Sequence, residues 1–419
     1  MGKHFEAGFF ANNRQQLRNI FTGTAPIVLT AHGQLQSSSD MTFPFRQDSN
    51  FWYLTGINEP DIILVMDKDK EYLVLPEHFD WRSSFEGAPS AADMIKLSGI
   101  ETILDSKAGW KRLGGRLNKV KHAATLAAPP AFVAGHGFYT NPARARLHEQ
   151  IKSYNQDIEL LDLKQHLVTM RMTKQPAELN AIRDAIGVTE RSLKALLRKS
   201  WTIENTEVDI ESAILENFSS FGADQVAFDC VVGAGPHSVI PHWKADQTTL
   251  PKKGLVVLDV GAQMHQYAAD ITRTFALGSP SRRMQRVYDA VLDAHTYALT
   301  LLKPGVVLKE YELDMMRYMG EKLRELGLIK SIEPAEVRKY FPHYTTHHLG
   351  LDAHDDSDYA VPLKPNMVLT VEPGIYIAKE AIGVRIEDDV LITENGAEIL
   401  SDGLSRELKS LTMKEAKKL

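Results

Sequence analysis

The sequence predicts an α/β (α+β) protein of two domains, on three observations. Short apolar, strand-like runs alternate with helix-like stretches up to about residue 165. The texture then changes around residues 173–178 to long amphipathic helices. After the change, long helices precede strand-rich stretches twice over, the pattern of an internal repeat that residue identity does not itself establish. In the first half the strand candidates are 27–29, 62–66 and 72–75, divided by turn chemistry such as Asp67-Lys68-Asp69-Lys70. Helices are expected at 90–98 and 142–153, giving a mixed sheet with helices packed on it. Pro176 suits the first turn of a helix over 176–199, where Leu179, Ile182, Ile186, Leu193 and Leu197 fall near helical spacing. Further helices are expected at 207–220, 283–302 and 309–326, and strands within 225–233, 254–275 and 366–394. The domain division is placed at 1–168 and 169–419.

Composition narrows the function classes. A chain 43% hydrophobic and 24% charged can bury real cores, which excludes disorder and coiled coil. With Cys230 its only cysteine, no intrachain disulfide forms and any metal must sit on His, Asp and Glu. A net charge of -6 gives no general attraction to nucleic acid or acidic membranes, so neither is expected as a partner. The N-terminal apolar pieces are too interrupted for a signal peptide, Glu6 breaks a myristoylation pattern, and a cytoplasmic location is expected.

Two pairs of carboxylates interrupt apolar strands. Asp259 follows Leu255-Val256-Val257-Leu258, and Asp270 precedes Ile271-Thr272-Arg273-Thr274-Phe275. A hairpin turning at Met264-His265 opposes residues whose numbers sum to 529, hence Asp259 and Asp270. Opposed Cβ atoms lie roughly 4.5–5.5 Å apart, so two anions there need a cation between them. A plainer reading makes one a turn cap and the other a partner of Arg273, and a one-residue slip would separate them. Glu372 and Glu387 repeat the arrangement across a turn at Lys379-Glu380, where numbers sum to 759 and Pro373-Gly374 suggests a bulge.

Four of the fifteen histidines, His343, His347, His348 and His354, lie within twelve residues. Beside two acidic pairs this density favours metal or acid–base chemistry over structural roles. In an extended segment His347 and His348 point to opposite faces, so at most one of them is a ligand, and the sequence alone does not say which. Four carboxylates and one imidazole suit hard or borderline divalent ions, and suit two of them roughly 3.5–4 Å apart better than one.

In the order Asp259, Asp270, His347, Glu372, Glu387 the chain resembles the pita-bread metallopeptidases, whose members include methionine aminopeptidase, prolidase and aminopeptidase P. The stretch from His343 to Asp355 is similar to the signature of the proline-specific branch, and the run from Phe43 to Gly56 to that branch's N-terminal domain. The resemblance covers nearly the whole chain and implies a C-terminal pita-bread fold, a curved antiparallel sheet flanked by helices. It implies two divalent ions, most of all Mn²⁺, with Co²⁺ or Zn²⁺ as alternatives. Asp259 and Asp270 would hold one and Asp270, His347 and Glu372 the other, with Asp270 and Glu387 bridging. Glu372, His354, His343 and Arg385 are implied as catalytic, and His242, His343, His354 and Tyr376 as substrate contacts. Thr346, Ala353 and Asp356-Ser357 depart from the signature without touching a ligand.

The activity so implied is hydrolysis of the bond between an N-terminal residue and a following proline, with a homo-oligomer, dimer or tetramer, as the assembly. The nearest alternative is a prolidase restricted to Xaa-Pro dipeptides. A non-enzymatic pita-bread binding module or a metal-free creatinase-like enzyme would have lost ligands, and all five are present here. Gly233-Ala234-Gly235 lacks the full spacing of a phosphate loop and reads as a turn.

Overall fold

The computed structural model describes residues 5–128, 133 and 137–415. The chain divides into two compact units, Met1–Met170 and Arg171–Leu419.

The first unit is built on a six-stranded sheet. Its strands lie in the order Ile103–Leu104, Lys70–Val74, Ile63–Asp67, Ile27–Thr30, His122–Thr125 and Glu159–Asp162. Ile63–Asp67 runs antiparallel to both of its neighbours, and the other pairings are parallel. Val28, Val65, Leu113, Leu117 and Ile151 form part of one core beneath the helices Ser106–Leu117 and Ala143–Tyr154. The run from Phe43 to Gly56 ends in a capped, buried helix, Ser49–Thr55. Asp48 Oδ1 accepts the Asn50 and Phe51 amides, both at 3.0 Å. Gly56 closes the helix in the left-handed region (φ 70°), where an added Cβ would also lie 2.4 Å from the Phe10 ring.

The second unit opens on the helix Pro176–Arg198, started by Pro176 and by a reciprocal Gln175–Glu178 capping box. Thr206 and Asp209 cap the next helix, Glu207–Ser220, in the same way. The hairpin Gly254–Val260/Ile271–Leu277 follows. Every residue of its second strand is buried, the polar Thr272, Arg273 and Thr274 included. Helices Arg282–Leu301 and Leu308–Glu325 then precede the pairs Val368–Val371/Asp388–Thr393 and Gly374–Ile377/Ile382–Arg385. Two helices followed by a hairpin therefore occur twice, as the pattern suggested. The hairpins meet edge to edge: the Glu387 amide donates to the Thr272 carbonyl at 3.0 Å, and the Arg385 amide to Thr274 Oγ1 at 3.0 Å. No described helix is long and apolar enough to cross a membrane.

The register of the first hairpin differs from the expected one. Asp259 faces Thr272, so paired numbers sum to 531, and Asp270 lies just outside the ladder. The turn is at His265-Gln266, both in the left-handed region (φ 53° and 72°), one position later than expected. Two-residue hairpin turns usually advertise themselves with Asn-Gly or Asp-Gly, and His-Gln carries no such signal. The second register is as expected: Val371 faces Asp388 and Gly374 faces Arg385. The sum of 759 holds on both sides of Glu372-Pro373, so the ladder is interrupted there without the bulge that Pro373-Gly374 suggested.

Candidate metal centre

Asp259 reaches the centre from within a regular ladder, and the other three carboxylates from breaks in the pairing. Asp259 stands next to last in its strand. Asp270 precedes its strand, and its amide donates to Asp389 Oδ2 at 3.1 Å. Glu372 and Glu387 face each other where the second ladder opens. Pro373 has no N–H to give a partner, its carbonyl accepts the Ile386 amide, and the Glu387 amide donates across to the Thr272 carbonyl. The 345–349 segment lies along Val368–Val371, with the Thr370 amide donating to the His347 carbonyl at 2.9 Å. This segment settles the histidine alternative. His347 faces the acids, Nε2 being 3.4 Å from Glu372 Oε1 and 3.7 Å from Asp270 Oδ2. Its Nδ1 lies 3.1 Å from the His348 carbonyl; that oxygen only accepts, so Nδ1 carries the proton and Nε2 is left with a free lone pair. His348 is fully buried, with neither ring nitrogen hydrogen-bonded among the described residues.

Three overlapping groups can hold metal: Asp259, Asp270 and Glu387; His347, Glu372 and Glu387; and Asp270, His347 and His354. Within each group the donor atoms lie within 4.8 Å of one another. Burial, and then Glu387, push the carboxyls of Asp270 and Glu372 well above their ordinary range. Glu387 is raised to about 8 by burial and Asp259. His347 is lowered to about 3 by burial, with His354 adding to the effect, and so is a neutral imidazole. Asp259 Oδ1 is buried without a hydrogen-bond partner among the described residues. Neutral imidazole and mutually repelling carboxylates form a donor set short of positive charge, which is what divalent ions supply.

Arg385 is the cation within this set. Its Nη2 bonds Asp259 Oδ2 at 2.6 Å, and its Nε bonds Thr272 Oγ1 at 3.0 Å. That hydroxyl in turn donates to Glu387 Oε2 at 2.6 Å. Arg385 Nη1 also donates to the Tyr376 oxygen at 2.8 Å. His343 Nδ1 donates to the Tyr344 carbonyl at 2.7 Å, so Nε2 accepts from the Tyr376 hydroxyl at 2.9 Å. Burial and Arg385 hold His343 neutral, at about 3. Tyr376 thus stands behind His343, outside the lining of the cleft where a substrate contact was expected.

A cavity of 510 Å³ opens over the cluster, lined by His242, His343, His347 and His354 together with Asp259, Asp270, Glu372, Arg385 and Glu387. A second cavity of 370 Å³ adjoins Asp259, Asp270 and His354 and is walled by Phe228, Cys230, Val231 and Trp243. Burial and Glu211 raise the Cys230 thiol to about 12, so it is protonated. Glu207, His237 and Asp246 make a further group of possible donors. Glu207 there already accepts from the Ala234 amide at 2.8 Å and Trp243 Nε1 at 2.8 Å, which makes it a brace for the loop bearing His242.

Sequence reasoning missed Thr272, Asp388, Asp389 and Glu312. Thr272 follows only from the true register. Asp388 and Asp389 were visible as two more acids in an apolar strand, but their alternate faces send them to different partners. Glu312 carries no signal beyond one acid on an amphipathic helix.

A family model described as "Metallopeptidase family M24" matches residues 180–394, and one described as "Aminopeptidase P, N-terminal domain" matches residues 10–124. The chain is 30% identical to the Xaa-Pro aminopeptidase of Haemophilus influenzae, over 96% of each chain. Aminopeptidase P from E. coli with the inhibitor Pro-Leu is similar at 28% identity and a TM-score of 0.84, over 98% of both chains. The zinc-substituted E. coli enzyme in complex with product is similar at 28% identity and a TM-score of 0.83, again over 98% of both. The expected fold is therefore the observed one.

Proposed function

The chain belongs to metallopeptidase family M24, and we propose that its acid–histidine cluster holds two divalent ions. It is a metal-dependent exopeptidase that hydrolyses the bond between an N-terminal residue and a following proline. The observation that carries the metal reading is the cluster itself: four carboxylates and the Nε2 of one imidazole, with Arg385 in contact with them. Ions held there supply Lewis acidity and a water acidified towards neutral pH. The ligands proposed are Asp259, Asp270, His347, Glu372 and Glu387, with Mn²⁺ as the preferred ion. Glu372, beside His343 at 3.6 Å, takes the proton of the attacking water. His354 faces the substrate and stabilises the developing oxyanion, neutral His343 frames the proline ring, and His242 closes the other wall. Arg385 fixes Asp259 directly and Glu387 through Thr272, and the Tyr344 carbonyl fixes the tautomer of His343. The proline nitrogen of the substrate carries no N–H, so the enzyme must position the peptide by its free amino end.

Chelator-stripped protein, reconstituted in turn with Mn²⁺, Co²⁺ and Zn²⁺, tests this reading on a Xaa-Pro dipeptide and a Xaa-Pro-Xaa tripeptide. Stripped protein is expected to be inactive, Mn²⁺ to restore most activity, and the tripeptide to be the better substrate. Full activity after stripping would overturn the metal reading, and activity on dipeptides alone would make the enzyme a prolidase. A homo-oligomer is the assembly proposed, supported by the exposed, stacked Trp81 and Phe85 of the first unit, and sedimentation measures it.

The raised carboxyls also predict how stability depends on pH. A raised acid contributes stability that is complete below its unfolded value, about 4, and is lost as pH rises through its folded value. Asp270 and Glu372 lie well above that value and Glu387 near 8. Lowered His343 and His347 act in the opposite sense up to their unfolded value near 6.5, so the Tm of chelated protein is expected to fall between about pH 7 and 8, and excess Mn²⁺ to abolish the fall. A thermal melt in chelator that is flat or rising across that interval contradicts the prediction.

A further inference from the structure

The loop that delivers His343 and His347 is held from a side the metal chemistry does not account for. On one edge, the Thr345 carbonyl accepts the Glu372 amide at 2.8 Å and Thr346 Oγ1 donates to the Thr370 carbonyl at 2.6 Å. The Thr346 carbonyl is taken by the Tyr359 hydroxyl at 2.7 Å. That leaves the successive amides of Thr345 and Thr346, which no strand pairs. Both converge on the carboxylate of Glu312, buried on the helix Leu308–Glu325. Oε1 accepts Thr345 N at 3.0 Å and Thr346 N at 3.1 Å, and Oε2 also lies 3.0 Å from Thr345 N. Successive amides turned to one side form a concavity for an anion.

We propose that Glu312 is a positioning residue for the metal centre, its carboxylate setting the spacing of His343 and His347 by holding the two amides between them. It touches neither ion nor substrate. Without it two buried donors lose their partner, and the loop can satisfy them only by moving. The carboxylate is suited to the task because it accepts from both amides at once and is carried on a rigid helix, packed by Tyr311, Met315 and Met319. A residue that orients a ligand in this way typically changes metal affinity or activity about 10–100-fold when removed.

This inference rests on the dinuclear reading, and calorimetric titration of Mn²⁺ into chelator-stripped full-length protein separates the two. Glu312→Ala is expected to weaken Mn²⁺ binding about 10-fold or more and to lower kcat at saturating Mn²⁺, with KM little changed. Glu312→Gln keeps an oxygen for both amides and is expected to restore affinity to within about threefold of native. Met315→Ala, a core truncation on the same helix, is expected to lower Tm with native Mn²⁺ affinity. If Glu312→Ala fails to fold, Glu312→Asp, one methylene short of both amides, carries the same expectation. Native affinity and kcat in the Ala or Asp variant, or an equal loss in Met315→Ala, would overturn the proposal. A native chain that takes up no Mn²⁺ would overturn the dinuclear reading and this inference together.

Discussion

Asp270→Asn is expected to lose about 10³-fold or more in kcat/KM while leaving the metal-free protein no less stable than the native chain. Asp270 belongs both to the group with Asp259 and Glu387 and to the group with His347 and His354, so its loss weakens both halves of the centre. Lewis-acid stabilisation is worth several kcal/mol, and each 1.36 kcal/mol is tenfold in rate. The stability effect has the opposite sign. Burial, then Glu387, Asp259, Asp389 and Glu372, all raise the Asp270 carboxyl, so in metal-free protein the charged form opposes folding. Asparagine has the shape of the acid without the charge, and the backbone N–H of residue 270 can still donate to Asp389. The Tm advantage of the variant in chelator should grow from pH 5 to pH 8, as native Asp270 is forced towards ionisation. Activity within tenfold of native, or a lower metal-free Tm, would contradict this account. Activity assays paired with melts in chelator measure both.

Asp388→Ala is expected to cost about 3–5 kcal/mol of stability, a Tm loss on the order of 10 °C for a unit of this size. Asp388 is adjacent to Glu387 but points to the other face, where Arg273 Nη2 bonds Oδ1 at 2.7 Å with both side chains fully buried. Ser401 Oγ donates to the same oxygen at 2.7 Å, and Arg406 Nε to Oδ2. Burial alone would raise this carboxyl; Arg273 and His295 more than offset it and hold it far below the carboxylate range. Truncation leaves the Arg273 guanidinium buried without its anion. Arg273 Nη1 also bonds the Thr272 and Glu387 carbonyls, which tie the two hairpins together beneath the ligands. Urea denaturation of the metal-free protein reads the effect, and a change under about 1 kcal/mol would show that the pair is replaceable.

Much of the site could be read from sequence because its chemistry conflicts with its surroundings. A carboxylate at the end of an apolar strand is costly unless something compensates it, so Asp259, Asp270, Glu372 and Glu387 stood out one strand at a time. The second register followed from arithmetic and held. The first failed by two in the sum because His265-Gln266 is an unadvertised turn. The face-on pairing of Asp259 with Asp270 is replaced by an Asp259–Thr272 pair, and Asp270 is brought in from beyond the ladder. Tyr376 shows the other limit: the family resemblance implied it as a substrate contact, and its bonds to Arg385 and His343 put it behind the cleft.

The sequence by itself determined the two-domain α/β plan, the identity and order of the carboxylates, and a metal chemistry of oxygen and imidazole, since one cysteine leaves no other donors. These follow from local pattern: strand and helix periods, and acids where apolar residues belong. Tertiary structure decided which of two adjacent histidines faces the acids, and it put Thr272 between Arg385 and Glu387. It also brought Glu312 from a helix some thirty residues away to the amides of the histidine loop. Each of these depends on how separate elements meet at distances of about 3 Å, within hydrogen-bond range, and no local pattern encodes that.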